Sequence, residues 1–139
     1  MPVQSVTKKG TGPRMRALGA PVILGSGLSK PLGSSFSFTW GAINNGDEIG
    51  YIRLAVIDSG TNVVVASIGP LGVLPGASVT LVASWTPPSA QDWGINMILE
   101  QRNAPPESVF ISTIAVETGD ITTTLAGPNL APVGSPTIS

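Results

Sequence analysis

The chain has 139 residues, enough for one domain with one core, and 42% of them are apolar. Only 11% are charged, and neither cysteine nor histidine occurs, which excludes disulfides, thiolate or imidazole metal ligands, and Ser-His-Asp or Cys-His catalysis. Net charge is −1, but five of the seven cations (Lys8, Lys9, Arg14, Arg16 and Lys30) precede residue 31, while the rest of the chain carries two cations against eight carboxylates, a balance of −6.

Residues 1–33 follow neither the helical nor the strand period. Gly10, Gly12, Pro13, Gly19, Pro21, Gly25 and Gly27 block a helix. The one apolar run, Val22-Ile23-Leu24, reads as a short edge strand or an anchor. The rest reads as an extended basic arm, with a disordered terminus as the competing reading. The stretch 17–28 contains a proline and three glycines, too short and too broken for a bilayer span or a signal-peptide apolar region. A soluble protein delivered without cleavage is the expectation.

From Ser34 the pattern changes. Phe36, Phe38, Trp40 and Ala42 alternate with Ser37, Thr39 and Gly41, the mark of a strand with one buried face. Asn44-Asn45-Gly46-Asp47 is a turn by its chemistry. Tyr51 to Asp58 is nearly all apolar, as in a central strand, and Ser59-Gly60-Thr61-Asn62 turns it into the β-branched run Val63 to Ile68. Gly69 to Gly76 reads as a crossing loop. Val79, Leu81, Ala83 and Trp85 share one strand face until Thr86-Pro87-Pro88 ends it. Ile95, Met97 and Leu99 mark the next strand, and Val109 to Glu117 another. Thr118-Gly119-Asp120 reads as a turn into a last strand, Ile121 to Leu125, before a proline-rich tail.

Short strands at this spacing without a crossover helix predict an all-β, antiparallel immunoglobulin-like sandwich of about seven strands. The expected division is an arm over 1–33, a sandwich over 34–126 and a tail over 127–139.

Three features then recur in order: the turn Asn44-Asn45-Gly46, the loop Leu74-Pro75-Gly76-Ala77-Ser78, and the strand end Trp85-Thr86-Pro87. In this the segment 34–102 resembles CARDB and related fibronectin-III-like bacterial and phage sandwich domains. The resemblance implies the sandwich and says little of function. It ends after Gln101, where Asn103-Ala104-Pro105-Pro106-Glu107 departs from the family's pattern, and it does not include the basic arm.

No motif supplies chemistry. Gly25-Ser26-Gly27-Leu28-Ser29-Lys30 lacks the spacing of a phosphate loop. Asp47 with Glu48, and Glu117 with Asp120, read as solvated turn acids rather than catalytic pairs. A calcium site at Asn45 and Asp47 has no spaced run of aspartates behind it. Trp40 and Trp85 are in phase with core positions, which leaves Trp93, between Asp92 and Gly94, as the aromatic expected to be exposed. Five cations over thirty residues, without interleaved aromatics, favour a strap on protein over a grip on nucleic acid.

The expectation is a non-enzymatic structural or interaction protein without cofactor or metal and not membrane-bound, with nucleic acid the less favoured partner left open to the basic arm. A virion accessory protein, such as a capsid decoration, cement or tail-associated protein, fits by analogy of fold. Its partner would be capsid protein or neighbouring subunits, including copies of itself, held through Lys8, Lys9, Arg14, Arg16, Val22, Ile23, Leu24 and Lys30. Deleting 1–33 should then abolish assembly and spare the sandwich. The alternative is a glycan- or protein-binding module of a bacterial surface or secreted protein, working through Trp93.

Overall fold

The structure is a computed structural model describing residues 12–23 and 29–125. It consists of β1 (Met15–Ile23), β2 (Ser29–Pro31), β3 (Phe36–Asn44), β4 (Gly50–Asp58), β5 (Val63–Val73), β6 (Ser78–Trp85), β7 (Asp92–Arg102) and β8 (Phe110–Thr124). The strands form two sheets, β1-β3-β6 and β2-β8-β7-β4-β5. Every pairing is antiparallel except β2 with β8. The sandwich expected from the alternation is therefore the fold.

The core lies where the alternating faces meet. Phe36, Phe38, Trp40 and Ala42 of β3 are buried with Leu81 and Ala83 of β6. Against them stand Ile52, Leu54 and Val56 of β4, with Ile95, Met97 and Leu99 of β7. The intervening positions of β3 are only partly covered, so strand period and burial coincide.

Four boundaries differ from the sequence reading. Residues 15–23, taken as arm, form β1 along β3, from Met15 opposite Asn44 to Ile23 opposite Phe38. Residues 29–31, also taken as arm, form β2 beside the end of β8. A register shift between Leu18 and Val22 hides the period of β1. Gly19 sits there at a φ of +69°, freely open to glycine, and its carbonyl accepts the Trp40 indole N–H at 2.9 Å. Strand β5 runs on through Gly69 and Pro70 to Val73, bulging where the loop was expected. Strand β8 passes through Thr118-Gly119-Asp120 without turning, because β7 extends back to Asp92 and pairs all three residues.

Two side chains fasten the ends of the sandwich. Asn44, fully buried, closes the end near the start of β1. At the other end the buried Thr123 hydroxyl accepts the Gln91 backbone N–H at 3.0 Å and the Trp93 indole N–H at 3.1 Å, and donates to the Ser89 carbonyl. Thr123→Val keeps the shape and removes all three bonds. It is expected to cost about 1–3 kcal/mol, read as a lower midpoint in chemical denaturation with an unchanged slope.

Candidate functional site

The polar chemistry of the described residues is spent inside the fold. No buried side-chain nitrogen or oxygen there lacks a hydrogen-bond partner. Asp58, nearly buried, accepts the Gly60 N–H at 3.0 Å and the Thr61 hydroxyl at 3.0 Å, which fixes the β4–β5 turn. Among the described residues no three His, Cys, Asp or Glu side chains gather where they could hold a metal ion. Asp47, one of the candidate calcium ligands, donates its backbone N–H to the Gly12 carbonyl at 3.0 Å.

The described residues among those expected to bind a partner do not come together. Lys8, Lys9 and Leu24 lie outside the described residues. Arg14 and Arg16 are exposed near the start of β1, and the Arg14 backbone N–H donates to Asn44 Oδ1 at 3.0 Å. Val22 and Ile23 pair with Thr39 and Phe38 as part of β1, so their backbone belongs to the sandwich rather than to a free anchor. Lys30 stands at the opposite end of β3, its Nζ donating to the Ser35 carbonyl at 2.9 Å and lying 5.1 Å from the Phe36 ring centroid. Arg14 and Arg16 are close to Lys30 in sequence but stand at the opposite end of the domain.

Trp93 corrects the expectation most plainly. It is 7% exposed, stacked edge-on against Trp85 at 5.0 Å and bonded to Thr123. Strand β7 begins at Asp92, which puts Trp93 in phase with Ile95, Met97 and Leu99. The signal was present as the alternation 93-95-97-99. Aspartate and glycine on either side made the tryptophan look like loop.

What the sandwich does present outward are two sheet faces. The outer face of β1-β3-β6 mixes Ser37, Thr39, Gly41 and Thr80 with the exposed Leu18 and Val82, and Arg16 is its one charged side chain among the described residues. The outer face of the five-stranded sheet is different. Ala55, Ile98 and Val116 form a row across β4, β7 and β8, with Ala55 itself buried, and the next row runs Val64, Ile57, Asn96, Thr118. Val116 is 53% and Val64 44% exposed. At one end of this band a single carboxylate oxygen, Glu100 Oε1, accepts from Arg102 at 2.6 Å and Arg53 at 3.1 Å. At the other end stand the exposed Asp92 and Asp120.

No protein-family model and no curated protein sequence matches the chain. Solved structures do. The CARDB domain of a Pyrococcus furiosus protein, crystallised in complex with di-metal ions, is 14% identical and matches over 81% of this chain and 94% of that one at a TM-score of 0.54. The solution NMR structure of that domain is 15% identical over 83% of this chain and 98% of that one, also at 0.54. The chain has the fold of a CARDB domain. A β-glucuronidase of glycoside hydrolase family 2 matches over 11% of its own length at a TM-score of 0.43, too low to bear on fold or activity. The resemblance read from 34–102 thus extends, as fold, over four fifths of the chain, including residues read as arm.

Proposed function

We propose that this protein is a non-enzymatic structural module that fastens to neighbouring protein subunits. One observation carries the reading. The buried polar groups of the described residues are satisfied within the fold, whereas substantial apolar surface, including Val116, Phe110 and Ile111, faces outward. Chemistry turned inward and apolar surface turned outward suit a platform for association.

In this reading the sandwich is the platform, and residues 1–11, with Lys8 and Lys9, supply a basic strap complementary to acidic protein surface. The finer setting we propose is a virion accessory protein, of the capsid decoration, cement or tail-associated kind. The support for it is analogy: a small sandwich of low charge density with a basic terminal segment. The glycan-binding reading loses its aromatic platform with the burial of Trp93.

Truncation to residues 12–139 tests the strap. Light scattering across a concentration series should show full-length protein forming larger species than the truncated protein, with equal thermal midpoints. Equal masses at every concentration would count against the strap.

A further inference from the structure

The outer face of the five-stranded sheet is more specific than an apolar patch. Along β7 its outward positions run Arg102, Glu100, Ile98, Asn96, Gly94, Asp92. The order from one end to the other is net positive, uncharged, negative. Two guanidiniums share one carboxylate at the Arg102 end, leaving a net positive charge, and Asp92 and Asp120 make the far end negative.

We propose that this face docks onto the same face of a second copy. Two identical faces meet about a two-fold axis lying in the interface. If that axis runs across the strands between the Ile98 and Asn96 rows, it reverses strand direction. Arg102 of one copy then stands over Asp92 of the other, and at the uncharged centre Ile98 meets Asn96, Val116 meets Thr118 and Ala55 meets Ile57. Both ends gain an opposite charge, and the Glu100 carboxylate, which approaches Asp120 of the other copy, arrives already paired with Arg53 and Arg102. This inference rests on reading the protein as an assembling module, and it names the partner and the surface.

The area is sufficient. Four strands about 4.8 Å apart, over ten residues of about 3.3 Å rise, offer roughly 600 Å² per copy. That is the lower end of what stable specific interfaces bury, about 600–1,000 Å² per partner. A centre free of charge within an arginine-bearing rim is also the usual anatomy of such contacts. The face of β1-β3-β6 has no opposed charges to align a second copy.

The test uses the full-length chain. Val116→Glu puts a charge at the centre of the docked faces, while the free protein keeps the residue in solvent. Val82→Glu does the same on the outer face of β6, where Val82 is 45% exposed. In sedimentation velocity, Val116→Glu should weaken dimerisation by at least about tenfold, with an unchanged thermal midpoint, and Val82→Glu should leave it intact. Because the chain has no cysteine, Val116→Cys introduces a single thiol. A bismaleimide matched to the ~10 Å between packed sheets should link two such copies and should fail with Val82→Cys. Wild-type protein that stays monomeric up to its solubility limit overturns the inference, as does dimerisation that survives Val116→Glu or is lost with Val82→Glu. Truncation at residue 12 should leave this dimer in place, so failure of the strap and failure of the face give different results.

Discussion

Removing residues 1–33 is expected to unfold the protein, whereas removing residues 1–11 leaves it folded. The longer deletion takes away β1, one of the three strands of its sheet, and with it the buried Met15, a member of the core. It strips the partner from one edge of β3 along Met15–Ile23 and deprives the Trp40 indole of its acceptor at Gly19. It also removes β2, whose neighbour Leu32 donates its N–H to the Thr124 carbonyl at 2.8 Å. Domains of this size are stable by about 5–15 kcal/mol, so losing a strand that covers the core exceeds the margin. The check is circular dichroism with thermal melting. The 34–139 protein should show no cooperative transition, and the 12–139 protein should melt like the full chain. Starting at Gly12 is deliberate: its carbonyl takes the Asp47 N–H, and a Cβ built on Gly46 would lie 1.8 Å from it.

Asn44→Ala should cost about 3–5 kcal/mol, among the largest effects of any single polar substitution here. A carboxamide has two N–H donors and room for two acceptor bonds, and Asn44 uses all four. Nδ2 donates to the carbonyls of Glu48 at 2.7 Å and Val73 at 2.8 Å. Oδ1 accepts from the backbone of Arg14 at 3.0 Å and Gly46 at 2.9 Å. One fully buried side chain thereby joins the entry to β1, the β3–β4 turn, the entry to β4 and the end of β5. Alanine leaves two donors and two acceptors to find water at the edge of the core. Urea denaturation reads the loss directly. A cost below about 1 kcal/mol would mean that solvent already serves these groups.

Legibility followed the physics of each strand. Where one face is buried and the other solvated, as in β3, β6 and the Ile95–Leu99 part of β7, the period of two survives in the residues, and those strands were readable. Local turn chemistry misled where a partner strand overrode it. Gly119 and Asp120 look like a turn, but they lie opposite Ile95 and Gly94 in a continuous ladder. Gly69 and Pro70 look like a loop, but β5 absorbs them as an irregularity against β4. Strand β1 was hidden for a different reason. It is an edge strand broken by a register shift, and among its described side chains Met15 and the half-buried Ala17 meet the core.

The site divides in the same way. Charge asymmetry along the chain was plain in the sequence, but proximity in sequence did not become proximity in space for Arg14, Arg16 and Lys30. The polar ends of the five-stranded face draw on Arg53, Glu100 and Arg102 on one side and Asp92 and Asp120 on the other. Those residues come from three strands, and only the pairing register places them on one surface.

Hydrogen exchange on the full-length protein, followed by mass spectrometry, is the most direct measure of whether the sandwich begins at residue 12 and ends its supposed arm there. The prediction is that amides of Met15–Ile23 paired to β3 are protected to an extent comparable with β3 itself. Exchange of that segment at the rate of an unstructured chain would contradict it and return residues 15–23 to the arm.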